Sequence, residues 1–183
     1  GAKTSAAGRW QVNTVAWGAQ VAPEFKARVI EIAVELGCDP SHLMACMAFE
    51  SGGTFSPSVR NAAGSGAVGL IQFMPATAAG LGTSTDALAR MTPLAQLEYV
   101  RRHFLPFKGR LATLEDVYMT ILWPAAVGRP AASVLFARDS DRPKVYFQNR
   151  GLDLNKDGSI TKAEAAAKVQ AALVLGMKPE NFG

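Results

Sequence analysis

The run Gly37-Cys38-Asp39-Pro40 obliges one helix to stop and another to start within four residues. Upstream of it, Phe25, Val29, Ile32, Ala33 and Leu36 recur close to the 3.6-residue period, which predicts a helix over Ala22 to Leu36 with Gly37 as its left-handed terminus. Downstream, Asp39 is an N-cap and Pro40 occupies the first helical position, where its missing N–H costs nothing. The second helix passes through Leu43, Met44, Cys46, Met47 and Phe49 and halts at Gly52-Gly53. Two helices joined this tightly are expected to form an antiparallel hairpin.

From Thr54 to Gly69, glycines, Pro57 and small polar residues predict an irregular loop or a short hairpin. Helices are expected again at Pro75 to Gly80, Thr85 to Arg90, Thr92 to Phe104 and Thr113 to Leu122, the last ended by Pro124. Val134 to Arg150 shows no clear period, and Ala163 to Gly176 is rich enough in Ala, Lys and Leu to close the chain with a helix. No internal repeat or linker interrupts the 183 residues, which suffice for one core.

With 49% apolar and 19% charged residues, disorder is excluded, and a net charge of +4 mildly favours an anionic partner without choosing one. The longest apolar stretch, Met119 to Ala137, is broken by Pro124, Arg129 and Pro130, so no membrane span is expected. Gly1-Ala2-Lys3 opens without an apolar segment behind it, so any export signal is expected to be already removed or never present. Cys38 and Cys46 stand in no metal or redox spacing and are expected to be buried free thiols. Arg101, Arg102, Lys108 and Arg110 are scattered near apolar positions without interleaved aromatics, which argues against nucleic acid as a partner.

On the second helix, Leu43, Cys46, Met47 and Glu50 fall at i, i+3, i+4 and i+7, so a carboxylate continues an apolar stripe. Glu50 is therefore either a helix-end residue turned to water or a partly desolvated acid able to hold a proton near neutrality. The glycine-rich stretch that follows favours the second, because a helix end meeting a loop of little bulk can floor a groove for a polymer. Gly64-Ser65-Gly66-Ala67-Val68-Gly69 also fits the dinucleotide pattern, but no strand precedes it and no βαβ unit surrounds it, so that reading is rejected.

The residues Phe49-Glu50-Ser51, followed by Gly66-Ala67-Val68-Gly69-Leu70-Ile71-Gln72-Phe73-Met74-Pro75-Ala76-Thr77-Ala78, resemble the soluble (SLT-type) lytic transglycosylases, relatives of goose-type lysozyme. The resemblance covers roughly 22–128. It implies an α+β, mainly α, lysozyme-like helical domain with a small β-hairpin/loop region lining the groove. It also implies Glu50 as the single acid/base, Ser51 as its support and a substrate-binding residue, and Gln72 and Met74 as groove residues touching the glycan. There are two departures: the interval from Glu50 to Gln72 is longer than the family's, and Val117-Tyr118-Met119-Thr120 stands where the family has Ala-Tyr-Asn-Ala-Gly. Tyr118 is thus either a further substrate-binding residue or a core tyrosine.

Ordinary glycosidases need two carboxylates, and Asp86, Glu98, Glu115 and Asp116 are available but unmarked by any motif. The resemblance implies another route, in which the C6 hydroxyl of the substrate attacks the anomeric carbon and leaves a 1,6-anhydro-muramoyl end. It further implies peptidoglycan glycan strands as the partner, no cofactor for catalysis, and action in the periplasm or at the cell wall by a phage lysin, a virion-associated enzyme or a secreted bacterial protein. A monomer is expected. The alternatives are a hydrolytic muramidase of the same fold and a non-catalytic, calcium-dependent wall-binding module.

Asp153-Leu154-Asn155-Lys156-Asp157-Gly158-Ser159-Ile160-Thr161-Lys162-Ala163-Glu164 fits a twelve-residue EF-hand calcium loop. Asp153, Asn155 and Asp157 supply side-chain oxygens, Gly158 the turn, Ser159 its carbonyl, Thr161 a contact through water, and Glu164 a bidentate carboxylate. Ile160 is expected to point inward. A single such loop suits structural calcium, and the domain division expected is 1–150 for the catalytic unit and 151–183 for the loop and final helix packed on it.

Overall fold

The computed structural model describes residues 2–4 and 10–183. Helix α1 (Pro23–Leu36) ends with Gly37 at φ 75°, where the N–H groups of Gly37 and Cys38 return to the carbonyls of Val34 and Ala33. Helix α2 (Pro40–Glu50) starts where the Asp39 carboxylate accepts from the Ser41 N–H at 2.8 Å. The two pack together as a hairpin.

Helices α3 (Pro75–Gly80), α4 (Thr85–Ala89), α5 (Pro93–Phe104) and α6 (Leu114–Leu122) follow within a residue of their expected bounds. Ser84, Thr92 and Thr113 cap the last three by accepting the N–H three residues on, each at 3.1 Å. One expectation changes in kind. Helix α2 is not amphipathic, because Leu43 through Ala48 are all buried, so it runs through the middle of the core between α1, α6 and the final helix.

The fold is mainly helical with a small antiparallel sheet, an α+β arrangement consistent with a lysozyme-like architecture. Strands β1 (Ala2–Thr4) and β2 (Trp10–Val12) pair near the N-terminus. The glycine-rich loop itself carries only two isolated bridges, Arg60 with Val68 and Val68 with Phe73, so its β character is slight. The stretch that showed no period forms β3 (Val134–Ala137) and α7 (Pro143–Gln148). Strand β3 pairs antiparallel with β4 (Ser159–Thr161), setting Phe136 opposite Ile160. The closing helix is split at Ala166 into α8 (Lys162–Ala165) and α9 (Ala167–Gly176).

Among the described residues no helix is long and apolar enough to cross a membrane. Both cysteines are unpaired, but only Cys46 is fully buried, and Cys38 is partly exposed. Burial, then the neighbouring Asp39, pushes the Cys38 thiol up to about 12.

The C-terminal segment is tied to α6 by charge as well as by packing. Lys162 is 2% exposed, and its ammonium donates to Asp116 Oδ1 and, at 2.7 Å, to the Arg129 carbonyl. Asp116 also accepts the Gly128 N–H at 2.8 Å. Burial acts to raise this carboxyl, and the bonds from Lys162 and Gly128 more than offset it, holding it below the usual range. Removing one partner of such a pair strands the other. Lys162→Ala should therefore lower the unfolding free energy in urea by about 3 kcal/mol, and by clearly less in an Asp116→Ala background.

Candidate active site

Glu50 is the last residue of α2 and is half-buried. Among the described residues no hydrogen bond reaches its carboxylate. Burial alone raises its pKa from 4.5 to about 7, and a helix C-terminus is the end that disfavours negative charge. No second carboxylate contributes to the shift. The desolvated reading of this acid is the one the geometry supports.

The wall beside it is aromatic. Phe49 meets Tyr118 of α6 edge to face at 6.0 Å. Tyr118 is buried, and burial first, then the charges of Glu50 and Cys46, raises its pKa, so its phenol stays protonated. It is a core tyrosine by burial and a neighbour of the acid by electrostatics.

Ser51 is 1% exposed, and its hydroxyl accepts the Phe55 N–H at 2.9 Å while its carbonyl accepts from Thr54 Oγ1 at 2.7 Å. It binds the turn that follows α2 and offers no surface to a ligand. This corrects its expected role as a substrate-binding residue. The reason is positional: the turn through Gly52, Gly53 and Phe55, all at positive φ, folds the chain back over the serine.

The glycine-rich loop that follows α2 hangs on a residue that the motif does not contain. Gln96, fully buried on α5, accepts the Leu70 N–H at 2.8 Å and donates to the carbonyls of Leu88 and Pro57 at 2.9 and 3.0 Å. Gly69 has φ +85°, and a Cβ there would stand 2.4 Å from Gln96 Oε1, so both backbone shape and space demand glycine. A polar residue on the apolar face of Leu97, Val100 and Phe104 was the available signal, the same kind that marks Glu50.

Gln72 adopts φ 54°, and its Nε2 donates to the carbonyls of Val59 and Gly69, each at 3.1 Å. Its donors are spent holding the loop. Met74 is 46% exposed at the start of α3. Gln72 and Met74 line one small cleft together with Thr77, His103 and Ile121.

Three of the four other candidate carboxylates are committed elsewhere. Asp86 pairs with Arg60, Asp116 with Lys162, and Glu98 with Arg28, Arg101 and Arg102. Arg101 also forms a two-pronged pair with Glu35 at 2.7 and 2.8 Å, so Arg28 and Arg101 lace α1 to α5. Among the described residues the strands form two antiparallel pairs, and neither contains the Gly64–Gly69 loop.

The acidic loop at the far end does assemble. Carboxylate oxygens of Asp153, Asp157 and Glu164 all lie within 4.8 Å of one another, which suits ligands placed about 2.4 Å from one shared cation. Asp153 is held by Tyr146 O–H at 2.6 Å and Gly158 N–H at 2.9 Å. Asn155 and Asp157 bond to each other, Ser159 N–H donates to Asp157, and Gly158 takes φ +85°. The Thr161 hydroxyl accepts the Glu164 N–H at 3.1 Å, so this residue of the loop also caps α8. Ile160 is fully buried, and its strand partner is β3 rather than a second loop of the same kind.

A carboxyl that titrates near 4.5 unfolded and near 7 folded makes the folded state favour the proton. Its contribution is intact below pH 4.5 and is lost as pH rises through 7. Glu50→Gln, which cannot ionise, should melt higher than wild type at pH 8.5, by about 2 kcal/mol once partial solvent screening is allowed for, with the gap closing by pH 4. Equal gaps at both pH values would contradict the desolvation of Glu50.

Residues 28–95 match the family described as Transglycosylase SLT domain, a stretch from within α1 to within α5. No curated protein and no solved structure matches the chain. The matched stretch holds Glu50, Ser51, Gln72 and Met74, while Gln96, His103, Tyr118 and the acidic loop lie beyond it. The match likens this stretch, rather less than half of the chain, to SLT transglycosylase domains.

Proposed function

We propose that the protein is a lytic transglycosylase that cleaves the β-1,4 bond between N-acetylmuramic acid and N-acetylglucosamine in peptidoglycan, with Glu50 as its single acid/base. The observation that carries this reading is a carboxyl raised to about 7 by burial alone, at the end of a core helix and within the SLT match. Protonated Glu50 gives its proton to the glycosidic oxygen, which leaves as the 4-hydroxyl of the glucosamine. The bond to the anomeric carbon breaks as positive charge spreads over the ring. The muramoyl C6 oxygen then bonds to that carbon, its proton passes to the Glu50 carboxylate, and the acid is regenerated with no water consumed. The Tyr118 phenol, held protonated, is a donor available at the same wall.

In this reading 1–150 is the catalytic unit, 151–183 is packed on it, and the protein acts as a monomer in the periplasm or at the cell wall. The acidic loop holds calcium through Asp153, Asn155, Asp157, the Ser159 carbonyl and Glu164, and the ion's charge stabilises their convergence. Its role is structural. With β3 as its strand partner and Lys162 anchored to Asp116, the loop fastens the last two helices to α6.

Digestion of purified sacculi should release fragments one water lighter than hydrolysis products, as mass spectrometry reads directly. Glu50→Gln should lose activity by about 10³-fold with its fold intact. Reducing ends in place of anhydro ends would replace this reading with a muramidase, and sacculus binding without any release would replace it with a wall-binding module. Stripping calcium with a chelator should lower the melting temperature of the wild type, and Asp153→Ala should abolish that response.

A further inference from the structure

His103 is the polar wall of the cleft that Gln72 and Met74 line, and the family match does not reach it. Its Nε2 stands 2.9 Å from the Thr120 carbonyl, and a carbonyl only accepts, so Nε2 carries the hydrogen and Nδ1 is left with a lone pair. Burial depresses the pKa of the ring, which favours this neutral form. Edge-on contacts to Phe73 at 6.5 Å and Phe104 at 5.5 Å fix the plane of the imidazole. Among the described residues Nδ1 has no hydrogen-bond partner. Among the described residues the fully enclosed side-chain atom without a partner is His42 Nδ1, so the free nitrogen of His103 is not fully enclosed.

The other groups of the cleft narrow what could meet that nitrogen. Gln72 has no amide hydrogen to spare, since both backbone carbonyls beside it take its Nε2. The Thr77 hydroxyl makes no hydrogen bond among the described residues, and Met74 and Ile121 supply apolar surface. The small cleft therefore offers two acceptors, His103 Nδ1 and Gln72 Oε1, with one hydroxyl donor and an apolar wall. A secondary amide carrying a methyl group presents the matching set: an N–H, a carbonyl oxygen and a methyl.

We propose that His103 is a substrate-binding residue whose Nδ1 accepts the N–H of a glycan acetamido group, with Thr77 Oγ1 donating to the amide carbonyl and the methyl lying against Met74 and Ile121. This rests on the glycan reading above and adds the element of the sugar that the cleft selects. A glycan bearing a free amine or a hydroxyl at the same carbon leaves the carbonyl and methyl contacts unmade.

The test is a titration of protein carrying ¹⁵N-labelled histidine with the β-1,4-linked N-acetylglucosamine tetramer. The chain has only two histidines, so assignment needs one variant. The His103 Nδ1 resonance should move upfield as it accepts a hydrogen bond, while that of His42 stays in place. His103→Gln keeps a donor near Thr120 and removes the acceptor, and should bind the tetramer about 10-fold more weakly. His103→Asn, which returns an oxygen to the position of Nδ1, should recover most of that loss. In cleavage assays His103→Gln should raise KM and leave kcat near wild type.

An unmoved His103 signal at saturating tetramer, or wild-type affinity in His103→Gln, overturns the assignment. Failure of both variants to bind while melting normally also overturns it, since Asn retains the acceptor. Cleavage of sacculi without the histidine shift leaves the enzyme reading standing and removes this one. A histidine shift without cleavage does the reverse.

Discussion

A helix with no exposed face between its second and last turns must be wrapped on every side, and α2 sets the arrangement of the molecule for that reason. It is enclosed by α1, α6 and α9, elements drawn from both ends of the chain. Its C-terminal end is the point at which the wrapping stops. There a carboxyl is close enough to solvent to exchange a proton and buried enough to keep it near neutrality. The acid strength of Glu50 is therefore a property of how completely its own helix is covered.

Helix α6 is the common neighbour of the parts that matter. Tyr118 closes the aromatic wall beside the acid, the Thr120 carbonyl fixes the tautomer of His103, and Asp116 receives the buried ammonium of Lys162. The acidic loop and the cleft thus meet on one helix of nine residues. Coupling through it is structural, because a buried ion pair and packed rings hold α6 in one position relative to α2.

The helices were legible because their ends are written in residues with single physical meanings: Gly37 for a left-handed stop, and Asp39, Ser84, Thr92 and Thr113 for free N–H groups. Glu50 stood out as a charge continuing an apolar stripe, and the loop from Asp153 to Glu164 by its spacing. Strand β3 was not legible, since its partner β4 lies more than twenty residues away and a four-residue strand has no period of its own. Ser51 was misplaced because spacing along the chain cannot tell a hydroxyl facing a groove from one folded under the next turn.

What the sequence determined by itself was local: where backbone hydrogen bonds must begin and end, and which residue types could donate a proton or gather a cation. The tertiary structure decided environment. It surrounded α2 on all sides and so raised one carboxyl, and it placed Gln96 against Leu70 and Gly69 so that a glycine-rich loop took one fixed shape. It also set His103 against a carbonyl so that one ring nitrogen was left open. Acid strength, loop shape and tautomer all depend on the dielectric and the partners that distant segments bring, and neither is encoded within a few residues of the groups they act on.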